Sequence, residues 1–284
     1  MAAHEHIIEA IGRTRVVVRD GRVVEVGDPI ISDCPLAQRF GHPVREMTKE
    51  EIQANIEERI RSFGMCTADR DIGTTRDFVV FGASELLGSA MAGGLIDAAV
   101  IACEGAGTVI ALRPDLVQGI GGRMSGLQST TPIPSLIRRI EDAGGIVPFP
   151  GTAALDQYGG VARAREAGYA RVAVTVAEAS DAVRIREDFP SSVIVGVHTT
   201  GISRGDAEQM AAACDILSAC ASASVREAVT GRVRIQGGMS VPVYALTPAG
   251  KAIILEKIRV TERPMLIHGA SLPLSGEKGP APLL

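Results

Sequence analysis

The sequence predicts an α/β protein: a mostly parallel sheet with helices on both faces, plus an N-terminal β-hairpin and an antiparallel C-terminal strand extension. Three observations predict it. Across residues 146–219 short apolar runs alternate with helix-length segments, the pattern of parallel strands joined by crossover helices. Near the start, valines alternate with Arg15, Arg19 and Arg22 around Asp20 and Gly21, as in two strands joined by a tight turn. Beyond residue 230, β-branched runs follow one another around Gly237 and Gly238 without a convincing helix between them.

Taken in order, residues 15–19 and 22–26 form the hairpin. Thr48 and Glu51 have capping-box spacing, and Ile52, Ile56 and Ile60 recur at helical spacing up to Gly64, so a helix is expected over about 49–62. A buried strand over 78–81, a helix over 83–91 closed by Gly93 and Gly94, and a strand over 96–102 ending at Cys103 come next. Residues 104–134 read as a long Gly- and Thr-rich loop with one short strand near 108–112, and loops of that length are often functional. The second half gives strands at 146–149, 171–176, 193–197 and 215–219, with helices over 160–167, 177–188 and 205–213. Strands at 232–236, 241–246 and 252–258 complete the expectation, and the last 25 or so residues form an arm or a disordered tail. Four segments result: hairpin and link (1–45), a first α/β lobe (46–144), a second (145–260) and the tail (261–284).

Composition narrows the function. With 284 residues the chain can bury a sizeable core, and at 3% aromatic residues with no Trp that core is aliphatic. A formal charge of −4 leaves no basic footprint for nucleic acid. No apolar run approaches the roughly 18–20 residues of a membrane span, and charges occupy the place of a leader's apolar stretch, so a cytoplasmic protein is expected, with no membrane partner. Five cysteines, an odd number without short paired spacings, argue against a disulfide framework. No Cys-x-x-Cys, Walker lysine or complete dinucleotide fingerprint occurs, so the sequence names no cofactor and a metal or cluster is not expected.

Ligands of α/β sheets bind beyond the carboxyl ends of the parallel strands. That rule selects Cys103, Glu104, Gly105, Gly107 and Thr108 after one strand, His198, Thr199 and Thr200 after another, and Cys220 after a third. His198 is suited to moving protons near neutral pH. Cys66, near Arg70 and a helix end, Cys103 and Cys220 are candidate nucleophiles, with inert packing as the alternative for each. Glu104 is a second candidate base. Gly121 and Gly122 with Arg123, Ser125, Ser129, Thr130 and Thr131 form a segment able to hold a carboxylate, sulfonate or phosphate, the alternative being a surface loop. All these stretches are expected to meet over one rim.

Several strings are distinctive: His6-Ile-Ile-Glu-Ala10, Val16-Val-Val-Arg-Asp-Gly-Arg-Val-Val-Glu-Val-Gly27, Arg61-Ser-Phe-Gly-Met-Cys-Thr67, Cys103-Glu-Gly-Ala-Gly-Thr108, Val117-Gln-Gly-Ile-Gly-Gly-Arg-Met-Ser-Gly126 and Ser129-Thr-Thr-Pro-Ile-Pro134. Together they resemble the methanogenesis marker protein 8 family over about residues 4–258. The resemblance implies a role near coenzyme M, methyl-coenzyme M reductase or a neighbouring part of that metabolism, and it supplies no mechanism.

The function expected is an enzyme acting on a small anionic sulfur-containing metabolite, a sulfonate or thiol, in coenzyme M biosynthesis. Cys66 or Cys103 would carry or attack sulfur and the 123–131 segment would hold the anion. The alternative is an accessory protein for assembly or activation of methyl-coenzyme M reductase, with that methanogenic enzyme as partner. Uncovered strand edges make a homo-oligomer a further expectation.

Overall fold

The computed structural model describes residues 4–122, 124, 126–276 and 278–284. The chain opens with β1 (Glu5–Ala10), β2 (Thr14–Arg19) and β3 (Arg22–Val26), followed by α1 (Lys49–Phe63) and α2 (Ala83–Ala92). Next come β4 (Ala98–Cys103), β5 (Gly107–Ala111), α3 (Pro114–Gly121), β6 (Gly126–Thr130) and α4 (Pro134–Asp142). Then follow α5 (Gln157–Glu166), β7 (Val172–Val176), α6 (Ala179–Asp188), β8 (Val193–Gly196) and α7 (Arg204–Ala213). The last elements are β9 (Ile216–Ser218), α8 (Ala223–Ala228), β10 (Ile235–Gly237), β11 (Val243–Ala245) and α9 (Pro248–Val260).

The architecture is mixed α/β, with two sheets. One is wholly antiparallel, in the order β3-β2-β1-β6. The other runs β10-β11-β9-β8-β7-β4-β5. Its four central strands are parallel, while β5 on one edge and β11 and β10 on the other are antiparallel, so this sheet is mixed rather than mostly parallel. The hairpin of β2 and β3 is as expected, and β1, unforeseen, extends it into a full sheet.

Alternation along β4 explains the layers. Ala99, Ile101 and Cys103 face a core shared with α2, α3, α4 and α9, whereas Ala98 and Val100 face one shared with α5, α6 and α7. A third core lies between the antiparallel sheet and α1, where Ile8, Val16 and Val18 meet Ile52 and Ile56. Each fully buried aliphatic side chain contributes roughly 1.5–3 kcal/mol. Thr48 caps α1 by accepting from the Glu51 amide at 3.2 Å, and Gly64 ends it in the left-handed conformation.

Four expected elements differ. Residues 78–81 form no strand, because the amides of Phe78 and Val79 donate to the Glu85 carboxylate instead of a neighbouring strand. Residues 146–149 give only an isolated bridge between Ile146 and Ile110. Residues 252–258 belong to α9, started by Thr247 as cap and Pro248, with Gly250, Ile253, Ile254 and Lys257 buried at helical spacing. The long loop is largely folded into β5, α3 and β6, α3 starting with a proline as α4 does. The C-terminal segment is an arm: Ala281 pairs with Asp33, and the Leu284 amide donates to Ala221 O at 2.8 Å. Among the described residues no helix is long and apolar enough to cross a membrane.

Candidate functional site

β4 and β5 join through a tight, buried turn, Glu104 to Ala106. Gly105 and Gly107 both have positive φ, and a β-carbon on Gly107 would lie 2.2 Å from Ala153 O, so the turn admits no other residue there. The Gly105 amide donates to Thr130 Oγ1 at 2.7 Å, tying the turn to β6. Glu104 is thereby held fully buried at the carboxyl end of β4.

Arg70, also fully buried, donates through Nε to Glu104 Oε1 at 3.2 Å. Its other nitrogens donate to the carbonyls of Asp71, Gly119 and Ile120, the last two near the negative end of α3, and its guanidinium lies 4.9 Å from the Phe63 ring centre. Arg59 stacks near Phe40 and Phe63, and burial lowers its pKa to about 10, with Glu104 acting against that fall, so it remains charged at neutral pH. Cys66, in the left-handed conformation at φ 60°, and Cys103 complete the group with His6. Burial first, and Glu104 second, push both thiols up.

His6 comes from β1. Its Nδ1 is 2.6 Å from Thr130 Oγ1, and burial lowers its pKa to about 4, Glu104 opposing. Two atoms of this cluster, His6 Nε2 and Glu104 Oε2, are buried without a hydrogen-bond partner. Buried polar atoms are rarely left so; among the described residues Thr14 Oγ1, His42 Nε2 and Gln118 Oε1 share that state, and this cluster is set apart by having two such atoms beside a buried ion pair.

The structure brings together Cys66, Cys103, Glu104, Gly105 and Thr130, and adds Arg59, Arg70 and His6. His198 does not join them. Along β1 the side chains alternate, His6 and Ile8 toward α1 and Glu9 toward the other face. His198 is on Glu9's side: a β-carbon on Gly126, the partner of Glu9 in β6, would stand 3.1 Å from Glu9 Cβ and 3.2 Å from His198 Nδ1. The expected single rim is therefore divided by the β1 and β6 pair. His198 has φ 54° and a pKa lowered by burial, while burial raises that of Glu9. Beside it Thr199 Oγ1 donates to Ser218 O at 2.7 Å, and Thr200 Oγ1 accepts from the Ala221 amide.

Other expected site residues serve the fold. Thr108 Oγ1 donates to Gln157 Oε1 and accepts from the Asp156 amide, fixing the start of α5. Thr131 Oγ1 accepts from the Glu5 amide, Ser129 is exposed on β6, and Gly121 and Gly122 close α3 against Ser84 and Gln118. Arg123 and Ser125 lie outside the described residues. The nucleophilic role expected of Cys66 and Cys103 finds no support in their surroundings, since each is a neutral thiol at pH 7. Among the described residues no group of three or more His, Cys, Asp or Glu is arranged to hold a metal.

A family model described as an uncharacterized protein conserved in archaea (DUF2099) matches residues 6–259. The chain belongs to this archaeal family. An uncharacterized protein of Methanocaldococcus jannaschii is similar to it, 43% identical over 282 residues, covering 98% of this chain and 99% of the relative. The family match begins at His6, so the strand carrying the unforeseen imidazole is part of it. A histidine near a terminus, two residues from His4, gives no hint that its strand lies at the centre of a sheet. Arg59 is hidden in the regular spacing of α1, although its place four residues before Phe63 on the buried face is a usable signal.

Proposed function

We propose that the chain is an enzyme acting on a small anionic sulfur-containing metabolite, bound at the cluster around Glu104 and Arg70. The observation that carries the reading is Glu104 Oε2: a fully buried carboxylate oxygen with no partner, in an ion pair whose other oxygen is held by Arg70. Glu104 is the proton-handling group. Two buried guanidiniums favour an anionic guest, and the thiols of Cys66 and Cys103 line the site as neutral, polarisable walls. The resemblance to the methanogenesis marker protein 8 family supports coenzyme M biosynthesis as the setting.

The test is binding and turnover of a panel of small sulfonates and carboxylates, with and without a thiol group, by the purified chain. At least one sulfur-containing member is expected to bind, with Glu104→Gln weakening it by about tenfold or more. A folded protein that binds and converts none of them would sink the proposal.

A further inference from the structure

The amino ends of the parallel strands gather arginines. Two of these are neutralised where they stand, Arg171 by Asp97 and Arg186 by Asp215. Arg232 and Arg234 are not. Nη1 of Arg232 donates to Ala211 O at 3.5 Å and Nε of Arg234 to Leu246 O at 3.1 Å, and among the described residues neither meets a carboxylate. Two guanidinium charges, two residues apart in the chain, are therefore each tied to a carbonyl and left without a counter-ion.

Both line an open cleft of about 490 Å³, within the range of roughly 300–1,000 Å³ typical of small-molecule sites. Among the described residues no acidic side chain lines it. The negative end of α7 also borders the cleft, but its carbonyls are already used: Met210 O accepts from the Cys214 amide, Ala211 O from Arg232 and Ala213 O from Arg186. Thr247, the cap of α9, is part of the wall, so the positive end of a 13-residue helix is added to the two guanidiniums. The Asp215 carboxylate that Thr247 bonds to is matched by Arg186. The cleft is thus positive, and both arginines are exposed, so a guest reaches them without any opening of the fold.

Charge and wall together select the guest. A carboxylate or sulfonate brings one negative charge, whereas a phosphate monoester brings roughly 1.5–2 at pH 7 and three acceptor oxygens, enough for two forked guanidiniums. Ala212, Val233 and Leu246 make part of the wall apolar, which favours a carbon body beyond the phosphate. We infer that this cleft binds a small-molecule phosphate monoester, with Arg232 and Arg234 sharing its oxygens and the apolar wall covering its carbon part. The site is separate from the Glu104 cluster, at the carboxyl end of β4, and stands or falls independently of the function proposed there. Because the pairing is exposed, added salt weakens it.

The test is calorimetry of phenyl phosphate, benzenesulfonate and inorganic phosphate on the full chain at low salt. Phenyl phosphate is expected to bind about tenfold or more tightly than benzenesulfonate, which has the same ring and less charge, and more tightly than inorganic phosphate, which lacks the ring. Arg232→Ala and Arg234→Ala are each expected to weaken it by about fivefold, with urea unfolding confirming that the fold is kept. Amide NMR of the wild type, which depends on no variant, is expected to show phenyl phosphate shifting residues 211–214 and 231–234. No binding of phenyl phosphate at millimolar concentration, binding no tighter than that of either other compound, shifts confined to other residues, or undiminished binding by both folded variants would each overturn the inference.

Discussion

Two carboxylates are buried in ion pairs at opposite ends of the parallel strands, and they differ in how completely they are satisfied. Asp215, just before β9, uses both oxygens: Oδ2 accepts from Arg186 at 2.6 Å and from the Ile194 amide at 2.8 Å, while Oδ1 accepts from Thr247, the cap of α9. It stitches β8, β9, α6 and α9 together and leaves nothing over. Glu104, just after β4, uses one oxygen and leaves the other bare. Burial and pairing are common to both, so neither marks a site. The unfinished bonding sets Glu104 apart. An open cleft of about 490 Å³ lies at the Asp215 end, lined in part by Cys214, Arg232 and Thr247, so open space and unfinished bonding are found at different ends of the molecule.

The contrast breaks most readily at Asp215. Asp215→Asn keeps one oxygen for Arg186 and the Ile194 amide but loses the oxygen that Thr247 donates to and the charge that Arg186 pairs with, so a loss of about 3–5 kcal/mol in urea unfolding is expected, with metabolite binding by the folded fraction unchanged.

Next in size is a pH effect centred on His6. The unfolded ring takes up a proton near pH 6.5 and the folded one only near about 4, so between those values the unfolded chain binds more protons. Stability is complete above pH 6.5 and falls as pH drops toward 4, by about 3 kcal/mol for this group. His198, also lowered, adds in the same sense, and Glu9, whose pKa is raised, offsets part of it. Unfolding curves between pH 7.5 and 4.5 measure the slope, and His6→Gln should flatten it. An unchanged slope in that variant would remove His6 as the cause.

Glu104→Gln sharpens the comparison from the other side. Its amide nitrogen can take the place of Oε2, where nothing donates, but the fully buried Arg70 charge loses its counter-ion, so a stability cost of about 3 kcal/mol is expected together with the loss of metabolite binding. The distinction is then read in binding: loss of metabolite binding in folded Asp215→Asn as well would make the two carboxylates equivalent and end it. Smallest of all, Arg163→Ala removes an exposed pair with Glu166 and should change stability by less than about 0.5 kcal/mol, giving the baseline.

Much of the fold is legible where periodicity and punctuation agree. The capping box at Thr48, the hairpin around Gly21 and the β/α alternation after residue 160 all lie where the pattern puts them. The pattern misleads where one signal is weighed alone: the apolar run at residues 252–258 looks like a strand until the Thr247-Pro248 helix start is given its weight. Prolines 114 and 134 likewise start helices inside what reads as loop. At the site, strand ends and a helix end select Cys66, Cys103 and Glu104. They do not select His6, because its importance comes from pairing with a strand 124 residues away, which no local pattern encodes.

That long pairing has a consequence for how the molecule is made. β1 sits between β2 and β6, and a growing chain that has not yet reached Thr130 can zip only one of its two edges. Until then the other edge stands open as a template for a stray strand, and His6 has no Thr130 hydroxyl beside its ring. Synthesis beyond residue 130 therefore both seals the open edge and completes the contact between His6 and Thr130, so a half-made chain is sticky and lacks its buried cluster at once.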